Sequence, residues 1–308
     1  MWPEIPYARW KETGDSLHMW SQIVGKFRLL QTPWINHSWQ ATFYVNARGL
    51  TTSLIPGDGN AYEIVFDLAD HWLRIETTDG KTASFALEAM SVSFFYEKFR
   101  DALRAVGAPA DIHHAPNEVP DPVPFSQQTS LGEYNPEAAT DFWRALVQID
   151  AVFKHFRTSF LGKVSPVHLF WGSFDFAVTR FSGRKAPLHP GGFPALPDKI
   201  TREAYSHEVS SAGFWPGGGG VDEAAFYSYA YPTPDGFKDA PVSPAAAYYL
   251  DALGEFVLPY DAVRKAKDPS EELLSFLMST YEAAASLGEW DRKALECALG
   301  RPRIPREI

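Results

Sequence analysis

The sequence predicts an α+β protein built from two tandem helix–antiparallel sheet–helix units. The prediction rests on two pairs of similar segments, each flanked by helical patterns. Residues 61–72 (AYEIVFDLADHW) resemble residues 204–215 (AYSHEVSSAGFW), and residues 33–45 (PWINHSWQATFYV) resemble residues 166–178 (PVHLFWGSFDFAV). An internal duplication explains this order, and so does chance similarity between strands that are rich in aromatic residues.

The first unit is expected to span residues 1–112. Apolar residues recur at helical spacing over 15–31, and Pro33 cannot continue that helix. A second helix is predicted at 91–106, where Gly107 ends the pattern. Segments rich in aromatic and β-branched residues predict strands between the two helices. These strands are expected at 38–46, 49–54, 61–67, 71–77 and 83–87.

The second unit, residues 138–308, repeats this order after a proline-rich linker at 113–137, whose prolines cannot sit inside a helix or a central strand. Its expected elements are helices at 138–160 and 269–286 and strands at 166–180, 205–211, 225–231 and 255–258. Two long Pro- and Gly-rich loops, 181–200 and 216–223, interrupt the strands. Loops of this length are typical of functional lids or of spacers.

Composition and charge exclude several classes of function. The chain has 28 basic and 38 acidic residues, a formal net charge of -10, which argues against binding to nucleic acid. No apolar run is long enough for a membrane span, and the N-terminus lacks a signal-peptide pattern. The single cysteine, Cys297, cannot form an internal disulfide. We therefore expect a cytoplasmic protein whose partner is a small-molecule ligand rather than nucleic acid or a membrane.

Polar residues replace apolar ones when the second unit is aligned with the first. The replacements are Ala41 by Ser173, Phe43 by Asp175, Ile64 by His207 and Leu68 by Ser211. An unpaired buried polar group costs about 1–3 kcal/mol, so these side chains should meet each other, a metal or a ligand. Ser173, Asp175 and His207 offer a nucleophile, an orienting carboxylate and a base. Acid–base work by His207 and Asp175 and a purely structural hydrogen-bond network are the alternatives.

A divalent metal is a further hypothesis for the same region. Its ligands would be His37, His168, His207 and Glu208, although neighbouring residues of a regular strand point to opposite faces.

Substrate contacts are expected from residues near the same strands. The candidates are Trp171, Arg180, Ser211 and Tyr229. Arg180 suits an anionic group, and Tyr229 belongs to an alternating tyrosine ladder in FYSYAYP (226–232). A solvated loop charge and a half-buried sheet surface are the structural alternatives for these two residues.

Three segments together resemble a family of bacterial proteins of unknown function. They are NHSWQATFYVNARGLTT (36–52), HLFWGSFDFAVTRFSGR (168–184) and AYSHEVSSAGFWPG (204–217). The resemblance covers nearly the whole chain and implies no activity, cofactor or substrate. The residues themselves favour a small-molecule-processing enzyme that uses acid–base or hydrolytic chemistry in the second unit. A non-catalytic ligand-binding or scaffolding protein is the alternative.

Overall fold

A large antiparallel sheet with packed helices confirms the predicted α+β class. The computed structural model describes residues 1–218 and 221–306. The helices are α1 (Tyr7–Gln31), α2 (Val92–Ala105), α3 (Pro136–Arg157), α4 (Asp198–Ala204), α5 (Tyr260–Lys265), α6 (Pro269–Leu287) and α7 (Arg292–Leu295). The strands are β1 (Thr42–Val45), β2 (Gly49–Thr51), β3 (Ile55–Pro56), β4 (Ala61–Asp67), β5 (Trp72–Thr77), β6 (Thr82–Ala86), β7 (His168–Phe170), β8 (Asp175–Lys185), β9 (His207–Trp215), β10 (Ala225–Tyr231), β11 (Tyr248–Leu250) and β12 (Glu255–Pro259).

The strands of both predicted units join in one sheet. Its order is β11-β12-β10-β9-β8-β7-β1-β2-β4-β5-β6, and β3 pairs with β4. The two halves meet where β1 pairs antiparallel with β7, with Thr42 opposite Phe170 and Phe43 opposite Leu169. Helix α3 contacts β1 on one side of this junction and β8 on the other. Buried side chains from both halves therefore share a core cluster.

The residue pairs that suggested a duplication occupy different places in the fold. Trp39 lies in a 3-10 helix (Asn36–Ala41) before β1, whereas Trp171 follows β7. Tyr62 lies within β4, whereas Tyr205 follows α4 and precedes β9. The residue-by-residue alignment is therefore wrong. The shared order of helix, antiparallel strands and helix agrees with a duplication, which stays a prediction.

Helix α1 begins at Tyr7, earlier than the predicted residue 15, and its later turns run through the interior. It contacts α2, α3 and the 3-10 helix, and its first turns bury Trp10 against Phe142, with 4.5 Å between the ring centroids. Near its C-terminal end it also buries Lys26 and Arg28. Its N-terminal turns leave Arg9, Lys11 and Glu12 exposed and bury Trp10 as their one large apolar residue, so they lack the apolar periodicity by which a helix is recognised in a sequence.

The predicted strand at 166–180 is two strands, β7 and β8, separated by a turn at 171–174. The predicted strand at 38–46 likewise begins as the 3-10 helix. His37 and Ser38 there have φ values of 60° and 59°, a backbone region that L-residues rarely adopt. Strained backbone of this kind is concentrated at functional sites.

The strands β8, β9 and β10 have two different faces. On one face Phe176 stacks on Phe153 of α3 at 5.9 Å, and α6 contacts β9 and β10. The opposite face is turned away from α3 and α6 and is where the candidate site lies. Throughout the described residues, no helix is both long and apolar enough to cross a membrane.

Candidate active site

A cavity of about 820 Å³ lies on the face of β8, β9 and β10 that is turned away from α3 and α6. Alternate side chains of the strands form its floor, including Asp175, Thr179, Ser211 and Tyr227. Since alternate residues of a strand point to the same side, these side chains converge on one surface. The volume lies within the range of small-molecule sites, about 300–1,000 Å³.

Four other segments form the walls of the cavity. They are the C-terminal end of α1, the 3-10 helix before β1, residues 113–118 of the linker and residues 193–205. The floor belongs to the second unit, as expected, but the walls require the first unit and the linker. Aromatic side chains make up much of the lining: Trp34, Trp39, Phe170, Trp171, Phe181, Phe193, Tyr205, Trp215, Tyr227 and Tyr229.

Asp175 is buried at the start of β8, directly after the turn at 171–174. Its carboxylate accepts hydrogen bonds from the hydroxyl groups of Ser173 and Tyr227, one on each oxygen. Burial raises the pKa of Asp175, and the two hydroxyl donors oppose that rise because they favour the ionised form. Gly213 on β9 makes room for this pair, since a Cβ atom there would lie 2.3 Å from the Tyr227 hydroxyl.

Glu118 of the linker reaches the cavity beside Asp175. A Cβ atom at Gly172 would lie 2.0 Å from Glu118 Oε1, so only glycine allows this approach. Glu118 has a φ of 57°, and its backbone N–H donates to the carbonyl of Pro194 at 3.0 Å. Burial raises the pKa of Glu118 to about 7, and the negative charge of Asp175 adds to the rise.

Polar contacts with α1 fix the linker over the cavity. Gln22 donates to the Asn117 carbonyl at 2.8 Å and accepts from the Asn117 N–H at 2.7 Å. Lys26 donates to Asn117 Oδ1, and its ammonium lies 5.3 Å from the ring centroid of Trp171. Burial lowers the pKa of Lys26 to about 8, an effect that the nearby Glu118 opposes.

Glu255, the first residue of β12, adds a third carboxylate to the lining. Burial raises the pKa of Glu255 to about 7, and the charge of Asp175 adds to this effect. Asp175 therefore influences two carboxyl groups that titrate near neutral pH. Such environments are found preferentially at functional sites.

Neutral hydroxyl groups line the floor beside the carboxylates. The hydroxyls of Tyr205 and Tyr229 are 2.8 Å apart, as are those of Thr179 and Ser211. Burial raises the pKa of Tyr205 to about 12 and that of Tyr229 well above its ordinary value, so both phenols stay protonated. The floor therefore offers hydrogen-bond donors without negative charge.

The far end of the cavity contains His37. Its Nδ1 lies 2.7 Å from the carbonyl of Ala204, and its Nε2 lies 2.6 Å from Lys163 Nζ. Since the carbonyl can only accept, Nδ1 carries the proton and Nε2 accepts from the lysine. Burial lowers the pKa of His37, which agrees with this neutral form.

Besides His37, five of the residues singled out in the sequence for catalysis or substrate binding line the cavity. They are Trp171, Ser173, Asp175, Ser211 and Tyr229. Asp175 and Ser173 are bonded to each other, as predicted. Ser211 bonds to Thr179, whereas Tyr229 bonds to Tyr205. Their roles in catalysis or binding stay predictions.

His207 does not join Asp175. It is the first residue of β9, whereas Phe176, the neighbour of Asp175, is paired with Phe214 seven residues further along that strand. With about 3.3 Å per residue, the separation is on the order of 20 Å. His207 instead lies near Ser206, whose hydroxyl is 3.1 Å from its Nδ1. The predicted contact is therefore wrong. Asp175 and His207 each begin a strand, and because β8 and β9 run antiparallel, the two residues lie at opposite ends of this strand pair.

Arg180 lies on the helix-covered face of β8 and not in the cavity. It is fully buried, with its guanidinium 3.5 Å from the ring centroid of Phe156 and 4.3 Å from that of Tyr281. It also donates to Ser159 Oγ at 2.8 Å. The structure corrects its predicted role as a substrate contact, because even-numbered residues of β8 point away from the cavity.

The four proposed metal ligands do not converge. The Nδ1 atom of His168 lies 2.7 Å from the carbonyl of Pro166, and Glu208 forms an ion pair of 2.7 Å with Arg184. The rings of His37 and His207 are 6.4 Å apart. Within residues 1–218 and 221–306, no group of three or more His, Cys, Asp or Glu side chains is arranged to hold a metal ion.

The two long loops differ in their relation to the cavity. Residues 181–185 belong to β8, and Phe193, Leu196 and Pro197 from the rest of the first loop line the cavity. The second loop, 216–223, contributes none of the described lining residues, and its residues 219 and 220 lie outside the described part of the chain.

Sequence reasoning missed Lys26, Glu118 and Glu255. Lys26 and Glu255 had a readable signal, because each is a charged residue within an apolar stretch, IVGKF and EFVLP. A charge inside a buried element requires a partner or a functional reason. Glu118 had no comparable signal, since the linker around it is polar and rich in proline.

The family model described as "Family of unknown function (DUF5996)" matches residues 2–297. The chain belongs to this family. The match covers nearly the whole chain and so confirms the resemblance found in the sequence. No curated protein and no solved structure matches the chain.

Proposed function

We propose that the protein is a small-molecule enzyme that performs acid–base chemistry in the cavity. The observation that carries this proposal is the approach of Glu118 to Asp175 across Gly172, inside a partly enclosed aromatic cavity. Two carboxyl groups in different environments are a recurring arrangement for proton transfer, since one donates while the other accepts. A cytoplasmic location and a small-molecule partner, without nucleic acid or membrane, are part of the proposal.

The two carboxyl groups have distinct roles. Asp175 receives hydrogen bonds from Ser173 and Tyr227, which hold its oxygens in place and oppose the rise in its pKa that burial causes, so we assign it the role of proton acceptor. Glu118 has no such donor in the described part of the chain, and its pKa of about 7 leaves a large protonated fraction at neutral pH, so it is the proton donor. The positive charge of Lys26 stabilises Glu118 after it has lost its proton.

The test is turnover in a mixture of metabolites. Purified wild-type protein and Asp175→Asn are each incubated with a small-molecule extract, which is then compared by mass spectrometry. We expect the wild type to consume at least one compound and Asp175→Asn to do so about 10²–10⁴ times more slowly. Asp239→Asn, at an exposed position in a short 3-10 turn, is the matched control and should behave like wild type.

The alternative is a non-catalytic ligand-binding protein. In that case a compound is retained by both the wild type and Asp175→Asn but is recovered chemically unchanged. Equal turnover by wild type and Asp175→Asn would also contradict the proposal, because it would place the chemistry outside the cavity.

A further inference from the structure

More acidic than basic side chains line the cavity. Among the described residues they include three carboxyl groups, from Glu118, Asp175 and Glu255, against the single ammonium group of Lys26. Lys26 is already engaged, because it donates to Asn117 and lies over Trp171. When its carboxyl groups are ionised, the cavity therefore complements a positive charge.

The protein compensates Glu118 and Glu255 less fully than Asp175, because the charge of Lys26 offsets only part of the effect of burial on Glu118. Hydroxyl donors occupy both oxygens of Asp175, whereas burial and repulsion from Asp175 raise the pKa of both Glu118 and Glu255, and within residues 1–218 and 221–306 no side-chain hydrogen bond reaches either carboxylate. Both residues line the cavity, where a ligand can reach them. Uncompensated carboxylates are costly to bury, and a bound cation would offset that cost.

The aromatic walls add a second feature that suits a cation. The faces of Trp, Tyr and Phe rings attract cations, including quaternary ammonium groups enclosed by several rings. The cavity already shows this contact, since the Lys26 ammonium lies 5.3 Å from the Trp171 centroid. On the floor, Tyr227 and Tyr229 stack at 6.1 Å, close to Asp175.

The rim of the cavity is apolar. Leu30, Trp34 and Phe193 line it and are 56%, 50% and 44% exposed. Large apolar side chains that remain this exposed beside a cavity are suited to contact the apolar part of a ligand. The ligand should therefore carry an apolar body as well as a charged group.

We infer that the cavity binds an organic cation, an amine or quaternary ammonium compound with an apolar or aromatic body. The ammonium group lies between Glu255, Glu118 and the tyrosine floor, and the apolar body extends toward Trp34 and Phe193. This inference rests on the proposed function, because it names the substrate class of the same cavity.

The test compares three probes of similar shape and different charge by isothermal titration calorimetry at pH 7. Benzyltrimethylammonium is the cation, neopentylbenzene is its neutral isostere and phenylacetate is the anion. We expect the cation to bind at least about tenfold more tightly than either of the others. It should also release protons, shown by different heats in two buffers, because the bound charge ionises the two glutamic acids.

Single substitutions test whether Glu255 binds the cation. Glu255→Gln should weaken binding of the cation about tenfold and reduce the proton release, while leaving binding of the neutral probe unchanged. Glu97→Gln, an exposed position on α2, is the matched control and should bind like wild type. A neutral or anionic probe that binds as tightly as the cation would overturn the inference, as would cation binding that Glu255→Gln does not change.

The binding experiment does not depend on catalysis, so the two proposals fail separately. If the wild type shows no turnover and Asp175→Asn still binds the cation in preference to the neutral probe, the substrate class is retained and the enzyme is rejected. Turnover of a neutral or anionic compound, together with no preference for the cation, would retain the enzyme and reject the substrate class.

Discussion

The substitution Glu118→Gln should stabilise the protein above neutral pH. Glutamine has nearly the same shape as protonated glutamic acid but cannot ionise. In the folded protein, burial and the charge of Asp175 raise the pKa of Glu118 from its ordinary 4.5 to about 7. The ionised side chain is therefore held at a cost in folding free energy, as is common for groups that serve a function.

The magnitude follows from the pKa difference between the unfolded and folded states. Well below pH 4.5 both states hold the proton, and the group causes no loss of stability. Between pH 4.5 and 7 the unfolded state ionises first, so stability falls as the pH rises. Complete ionisation corresponds to about 3 kcal/mol. We expect a measured gain of roughly 1–2 kcal/mol, because the coupling to Asp175 is shared and the attraction to Lys26 is lost.

The assay is urea unfolding of wild type and Glu118→Gln at a series of pH values from 5 to 8. The difference in unfolding free energy should be about a quarter of its full value at pH 5 and should grow to its full value at pH 8. Glu97→Gln is the control and should differ from wild type by less than about 0.5 kcal/mol throughout. A Glu118→Gln protein that is less stable than wild type at pH 8 would refute the reasoning, since it would show that the ionised carboxylate is stabilised.

Three further substitutions test the placement of single residues. Arg180→Ala should lower the unfolding free energy by about 2–4 kcal/mol in urea melts, because it empties a buried position between α3 and α6, and unchanged stability would contradict that placement. His207→Ile should keep turnover within about twofold of wild type, because His207 is distant from Asp175; a much larger loss would return it to the active site. Gly213→Ala should reduce turnover at least about tenfold, because the added Cβ displaces the Tyr227 hydroxyl from Asp175, and full activity would show that this hydrogen bond is dispensable.

The local sequence pattern was sufficient to predict those helices and strands that bury one face and expose the other. Helices α2 and α6 were predicted to within one residue at each end, from apolar periodicity and from the glycines that follow them. Strands β4, β5 and β10 followed from their alternation and from the turns beside them. These elements depend on contacts between neighbours in the chain, which a sequence displays directly.

The sequence also identified several polar residues of the cavity, but it did not show which of them lie close together. Asp175, Ser173 and Ser211 were recognised as polar residues where apolar ones were expected, Tyr229 was recognised as part of a tyrosine ladder, and all four line one cavity. His207 was grouped with them through a similarity between segments. Strand similarity gives the face on which a side chain lies, but the turn at 171–174 and the pairing of β8 with β9 decide the distance between two side chains.

The tertiary structure alone brought Lys26, Glu118 and Glu255 to Asp175. These residues come from a helix, a linker and two strands that are far apart in the chain. The approach of Glu118 depends on the missing side chain of Gly172 and on the hydrogen bonds of Asn117 to α1. The pKa values near neutrality likewise arise only after folding, because burial and mutual repulsion do not exist in the extended chain. The sequence determined which side chains were available, and the packing of the linker and α1 against β8 decided which of them share one low-polarity cavity.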